Sequence, residues 1–418
     1  MPQMSLGPPK KSTLSYNDRV CSRCQGHRAL CGVNLCPLLM RAKSLANLDD
    51  AVTGMSLEGS SPPSVFVGTY GYPKVIAGPL VPPVRGEETS LMERPDLWLN
   101  KSLDEILSLR FSLVRTKKVL PVDAAVEPPR ILSETQTMAL SETPTASEAT
   151  LIKRPTFTSV FTGQTLPIGP SAPLEDFKLE DNPKVPLPVD RITSDTDLNA
   201  TDGIMDLFSG GIRQEHMTRL MSVGLLGVKK RRKLVPTLWS ITAVDDIIGK
   251  KLHKEVRRLP WLNDFVVHVD YALGNTVIIL FLPSCWQFEA LECWLGGLKP
   301  PVITDHELHK GRKTYASDVA GAYYATRLPA LNYLVNSGKQ AGVMVFMEVD
   351  PTRWIPLGVW RFREIAKRAL LKPGMKFSTL DESLQEIDKH LRTPISNWID
   401  VSQIYKEFTT QTLITDFF

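Results

Sequence analysis

The sequence predicts an α+β protein: mixed or antiparallel sheet covered by helices, between an N-terminal cysteine knuckle and a flexible C-terminal peptide. Three observations lead there. FVVHVDYALGNTVIILFLP sets two strand-like runs on either side of Gly274-Asn275, the residue chemistry of a hairpin turn. SDVAGAYYATRLPALNYLV, LGVWRFREIAKRALL and LDESLQEIDKHLR carry apolar residues at helical spacing, the second with Val359, Phe362 and Ile365 on one face, and MVFMEV between them reads as a strand. Four of the six cysteines are crowded into one short N-terminal segment.

Along the chain, residues 1–17 read as a polar, flexible N-terminus, 18–45 as the knuckle, and 56–120 as a small strand-rich and helical region. There SVFVGTYGYPKVIAGPLV mixes β-branched residues with Gly and Pro, as short strands joined by tight turns do. Gly68, Gly71 and Gly78 match neither a P-loop nor a dinucleotide fingerprint and read as turn formers. NKSLDEILSLRFSLV predicts a helix capped by Ser102 or Asn100. Residues 121–190, rich in Pro, Ser and Thr, read as an extended connection. Residues 191–400 are expected to be the main α+β domain, opening with two short helices broken at Gly210-Gly211; LVPTLWSITAVDD is read as a strand leading into a polar turn. Residues 405–418 are the C-terminal tail.

A content of 43% hydrophobic and 22% charged residues is that of a globular chain, and no apolar run reaches the length of a membrane span. The N-terminus lacks the apolar stretch of a secretory signal, so a cytoplasmic protein with reduced thiols is expected, with no membrane partner. The net charge of +4 over 418 residues is too small for a nucleic-acid coat protein, so DNA affinity must come from local patches.

In CSRCQGHRALCGVNLC the cysteines stand as Cys21-x2-Cys24-x6-Cys31-x4-Cys36. Four soft thiolates at this spacing suit one closed tetrahedral zinc site, structural because no position is left for water. Two disulfides or an unliganded loop are the alternatives, disfavoured by a reducing compartment. His27 lies inside the loop as a substitute ligand, ranked below the thiolates; Cys285 and Cys293, in an apolar context, read as core.

Lys229, Lys230, Arg231, Arg232 and Lys233 form a run of five cations that can neutralise phosphates, with a solvated turn as the alternative reading; Lys310, Arg312 and Lys313 extend the candidate patch. Asp245 and Asp246 are weak catalytic candidates. If the protein is an enzyme, carboxylates at a strand end hold Mg²⁺ or Mn²⁺ for phosphodiester hydrolysis; Asp195, Asp197, Asp202 and Asp318 are further acids, yet no spacing among them is diagnostic. Capping helices or facing solvent is the commoner use of such pairs. DHELH is not HExxH and reads as a loop.

The last eight residues, QTLITDFF, place Gln411, Ile414, Phe417 and Phe418 at i, i+3, i+6 and i+7. One tight helical turn gathers the three apolar side chains into a plug with the Gln411 amide at its rim, which suits a groove on another protein. Docking on the chain's own core is the alternative. All four positions match the PCNA-interacting peptide, or PIP box, which this tail resembles; that likeness implies the sliding clamp PCNA as partner.

PSVFVGTYGYPKVIAGPL, GPSAPLEDFKLEDNPKVP, GLLGVKKRRKLVPTLWSITAVDD and GRKTYASDVAGAYYATRLPALNYL resemble stretches of the archaeal Nre DNA repair proteins, over nearly the whole chain. The resemblance implies a cytosolic archaeal protein that acts in DNA damage repair and is recruited by the clamp through its tail. It carries over the zinc and clamp-binding positions and assigns no reaction. A metal-dependent, nuclease-like repair enzyme is the rival expectation.

Overall fold

The computed structural model describes residues 36, 39, 55–156, 169–295, 300–350 and 358–410. Residues 55–156 and 169–252 form one compact unit and the described residues from 253 onward another.

The first unit holds a sheet of β1 (Ser56–Ser61), β2 (Val65–Val67), β3 (Lys74–Val81), β4 (Val114–Pro121), β5 (Thr145–Leu151) and β6 (Ser171–Leu179). The spatial order is β1-β5-β6-β4-β3-β2, with β4 and β6 parallel and the other neighbours antiparallel. One face of this sheet, with Val75, Val114, Leu120, Ala149 and Phe177, is sealed into a hydrophobic cluster. Between β3 and β4 lies α1 (Leu103–Phe111), which starts at Ser102 because a capping box closes there: the Glu105 N–H donates to the Ser102 hydroxyl at 3.2 Å and the Glu105 carboxylate accepts the Ser102 N–H at 2.7 Å.

The segment 121–190 is not an extended connection. It supplies α2 (Arg130–Leu140), β5, β6 and the start of α3 (Leu187–Ser194). Its strand period escapes notice in the sequence because the buried positions of β5 are small or hydroxylated: Thr145, Ser147 and Ala149 face inward, and the Ser147 hydroxyl is satisfied at 2.7 Å by Ser61. Helices α4 (Ala200–Ser209) and α5 (Gln214–Ser222) are separated at Gly210-Gly211 as expected. LVPTLWSITAVDD is helical, not extended: α6 runs over Thr237–Val256. The reason is a helical stripe, Val244, Ile248, Leu252 and Val256, all buried, which outweighs the local β-branched propensity. The expected 191–400 domain is thereby divided at residue 252.

The second unit holds β7 (Phe265–Ala272), β8 (Asn275–Leu282), β9 (Gln287–Trp294), β10 (Val302–Glu307), β11 (Gly342–Val349) and β12 (Met375–Phe377) in the order β10-β9-β11-β8-β7-β12. β9 and β11 are parallel and the other pairs antiparallel. The hairpin turn lies one residue earlier than expected, at Leu273-Gly274, both at positive φ (52° and 75°), so Ala272 closes on Asn275. Asn275 enters β8 while its amide donates to the Ala272 and Leu273 carbonyls at 3.2 and 2.8 Å. Of DHELH, Asp305–Glu307 end β10, paired along β9, and Leu308 and His309 lie in the turn beyond it.

Helices α7 (Gly321–Ser337) and α8 (Trp360–Leu371) pack on one face of this sheet; α9 (Leu380–His390), α10 (Ile395–Ile399) and α11 (Gln403–Thr410) lie on the other, where Leu291, Met344, Phe346, Ile387 and Trp398 meet. Residues 405–410, expected to belong to the flexible tail, are helical. The buried Glu289 carboxylate accepts the Gln403 and Ile404 N–H groups at 2.9 and 3.1 Å and so caps α11 from β9.

Candidate nucleic-acid interface

The run Lys229–Lys233 begins as a short 3-10 turn, Lys229–Arg231, anchored where the Lys229 N–H donates to the Thr196 carbonyl at 2.8 Å. Lys229, Lys230, Arg231 and Lys233 are exposed, and among the described residues none of them forms an ion pair. Arg232 differs from its neighbours. It is buried, and its guanidinium donates to the carbonyls of Gly227, Thr193 and Asp195 at 2.8, 3.0 and 2.8 Å. The candidate phosphate contact at Arg232 is therefore corrected to an internal clip: a cation in that position ties the 193–195 segment and Gly227 to the turn that carries the other four. Arg219, which also stands near this run in the sequence, is buried against the Ala139 and Ser141 carbonyls, and burial pushes its guanidinium down to about 9.

Asp245 and Asp246 lie within α6, not at the end of a strand. Adjacent helical residues point about 100° apart, and the two carboxylates have different surroundings. Asp245 is buried and accepts the Gln214 amide at 2.9 Å; Asp246 pairs with Lys250 one turn on at 2.5 Å. Asp195 accepts the N–H groups of Asp197 and Leu198, both at 2.9 Å, and these hold its carboxyl below the ordinary range. Among the described residues no three His, Cys, Asp or Glu side chains gather as a metal site requires.

The second unit contains charges that inspection of the sequence left without a role. Glu307, at the end of β10, receives Arg327 of α7 at 2.8 Å (Nε) and 2.7 Å, the Trp286 indole N–H at 2.9 Å and the Arg312 backbone N–H at 3.0 Å. Burial works to raise its carboxyl, but the Arg327 guanidinium outweighs it and the net shift is downward. Asp305, two residues earlier on the same face, accepts the Asp318 and Val319 N–H groups at 2.8 Å and pairs with Arg312 at 2.8 Å. This holds the entry to α7, where Ala320 sits at φ 53°, ψ −122°, a strained setting for a residue with a side chain. GRKTYASDVAGAYYATRLPALNYL thus converges on one buried network, and Arg312 belongs to it. A lone arginine in the apolar run YYATRLPAL was the signal available in the sequence, since a cation there demands a partner.

Cys21, Cys24, Cys31 and His27, and the tail positions Gln411, Ile414, Phe417 and Phe418, lie outside the described residues; Cys36, which is described, is half-buried. No helix among the described residues is long and apolar enough to cross a membrane.

Fold and site together define an α+β protein of two sheets, whose buried charges clamp its own elements and whose Lys229–Lys233 turn presents four cations to solvent. The family described as Archaeal Nre, N-terminal matches residues 30–298, and Archaeal Nre, C-terminal matches residues 307–417. The chain belongs to the archaeal Nre family. It is 34% identical over 399 residues to DNA repair protein NreB of Archaeoglobus fulgidus, covering 94% of this chain and 98% of that protein. It is 34% identical over 369 residues to NreA of the same organism, 87% of this chain and 92% of the relative. To DNA repair protein NreA of Haloferax volcanii it is 30% identical over 361 residues, 83% and 86% respectively. No solved structure matches it. The division between the two family segments falls inside the second sheet, between β9 and β11, rather than at the boundary of the two units.

Proposed function

We propose that this chain is a DNA repair factor that contacts DNA through the turn at Lys229–Lys233 and is recruited to the sliding clamp PCNA through Gln411, Ile414, Phe417 and Phe418. Near-full-length similarity to three relatives called DNA repair proteins supports the repair role. The observation that carries the DNA contact is the arrangement of Lys229, Lys230, Arg231 and Lys233, exposed and, among the described residues, without carboxylate partners, on a turn fixed by Arg232. Such a turn engages phosphates without reading bases, which suits a factor that meets many sequences. For the clamp, α11 is pinned at its start by Glu289 and ends on exposed Thr409 and Thr410, so the tail continues from a fixed, accessible point. Cys21, Cys24, Cys31 and Cys36 are proposed to hold one structural zinc.

Gel filtration of the full chain with the clamp, against a chain ending at Thr410, tests recruitment. Co-elution should be lost on truncation; equal co-elution sinks it. In parallel, Lys230→Glu with Arg231→Glu should weaken duplex DNA binding and reduce its salt slope by about 1.8, near 0.9 per lost phosphate contact. Unchanged binding removes the turn from the interface.

A further inference from the structure

The face of the first sheet opposite the hydrophobic cluster is divided by charge. At its β1-β5-β6 end the charges of one register row, Glu58, Glu148 and Lys178, are matched, while Glu175 at the bulge of β6 is exposed. Glu58 pairs with Arg85 at 2.9 Å, Arg85 with Glu180 at 2.9 Å, and Glu148 with Lys178 at 2.6 Å. At the β4-β3-β2 end the pattern reverses. Arg115 and Lys117 project from β4 on that same face, since the intervening Val114 and Thr116 face the core side, and among the described residues neither has a carboxylate partner.

Arg115 instead lies flat over the Phe66 ring of β2, its guanidinium carbon 3.6 Å from the ring centroid. Gly68 leaves room beside it, for a Cβ there would stand 3.4 Å from the Arg115 guanidinium. Burial alone pushes Arg115 down to about 10, which is the condition of a desolvated cation without a counter-charge; Lys117 is lowered by burial and then by Arg115. Beyond them Val119 is 65% exposed, and at the tip of the β2–β3 hairpin Tyr70 is 88% exposed. Phe66, which Arg115 covers, Tyr70 at the tip and two cations unmatched among the described residues make a mixed aromatic and cationic surface, while at the other end of the face Glu58, Glu148 and Lys178 are paired.

We propose that this end of the sheet binds single-stranded nucleic acid, Arg115 and Lys117 taking backbone phosphates and Tyr70 stacking on an unpaired base. The inference rests on the DNA-contacting role proposed above and assigns it a second surface and a strand type. Cations alone would suit a duplex equally; the exposed tyrosine selects the single strand, because a duplex keeps its base faces stacked and unavailable.

The test uses the full chain with a fluorescent 20-nucleotide oligothymidylate, a duplex of equal length and a fluorescent oligoglutamate. Lys117→Glu and Tyr70→Ala should each weaken oligothymidylate binding about tenfold, the first also lowering the salt slope by about 0.7 as one phosphate contact on a single strand is lost. Tyr70 is exposed and Lys117 half-buried with no carboxylate partner among the described residues, so thermal melting should match the parent; Lys117→Gln, which removes the charge and stays polar, gives the same reading if Lys117→Glu does not fold. Unchanged oligothymidylate affinity in the Lys117 and Tyr70 variants, while Lys230→Glu with Arg231→Glu loses DNA, overturns this inference and leaves the role of the turn standing. Loss of duplex and single strand alike in the Lys117 variant, with Tyr70→Ala silent, also overturns it. So does tighter binding of oligoglutamate than of oligothymidylate that Lys117→Glu abolishes, which would mark an acidic protein segment as the occupant. The clamp co-elution result is independent of all three outcomes.

Discussion

The two sheets have the same number of strands and one parallel pair each, yet they treat charge in opposite ways. In the first, β5 alternates buried and half-buried residues along its length, the mark of a sheet covered on one face. In the second, all eight residues of β11 are buried, because helices cover both faces. On the open face of the first sheet Arg115 lies over the Phe66 ring and Lys117 is half-buried, and among the described residues neither meets a carboxylate. A charge between sheet and helix in the second is buried, so Glu307, Asp305 and Glu289 are each surrounded by donors. Unpartnered charge on the open face of the first sheet therefore marks a surface available to a ligand, whereas the paired charges beside the second sheet mark internal fastening.

The contrast is broken most severely at Glu307. Glu307→Ala would strand Arg327 and the Trp286 N–H in a buried site, and a loss of about 3–5 kcal/mol in urea unfolding is expected. A cost near that of an exposed ion pair would show that water reaches the site and that the second sheet is no drier than the first. Next in size is the response to acid. Burial, then Arg219 and Arg213, pushes the His216 imidazole of the first unit down to about 2. The unfolded chain, with an ordinary value of 6.5, then takes the proton first, so stability is full above pH 6.5 and declines as pH falls below it. His253 of the second unit is also lowered, by burial first, and acts in the same direction. Glu307, held below its ordinary 4.5, adds a contribution that is full above that value and is lost as pH falls through the folded one. Unfolding midpoints measured against pH should show two stages: His216→Gln flattens the upper and Glu307→Gln the lower. A single stage near pH 4 that His216→Gln leaves intact would deny the histidine its part. The smallest effect is expected at Lys117→Gln, within about 0.5 kcal/mol of the parent because no partner is abandoned; a larger loss would mean that the open face is fastened after all.

Where periodicity was long and apolar, as in α8, α9 and the β7–β8 pair, the elements could be read directly. It failed where the buried side chains are small and polar, as in β5, and where a β-branched segment belongs to a longer helical stripe, as in α6. At the candidate interface the limit is sharper. Arg231 and Arg232 are neighbours of identical chemistry, and one faces water while the other ties together three carbonyls. Asp245 and Asp246 divide in the same way.

From the sequence alone came the α+β class, most helices of the second unit, the hairpin to within one residue, and the spacing of four thiolates and of the tail's apolar positions. These depend on local order along the chain, where side-chain type and interval suffice. The tertiary structure alone decided which charges are fastened and which are free, because that depends on whether a distant segment arrives to exclude water and offer a partner. Arg327 meets Glu307 from twenty residues away, and Arg232 meets Thr193 from thirty-nine; among the described residues no such carbonyl or carboxylate comes to the Lys117 side chain.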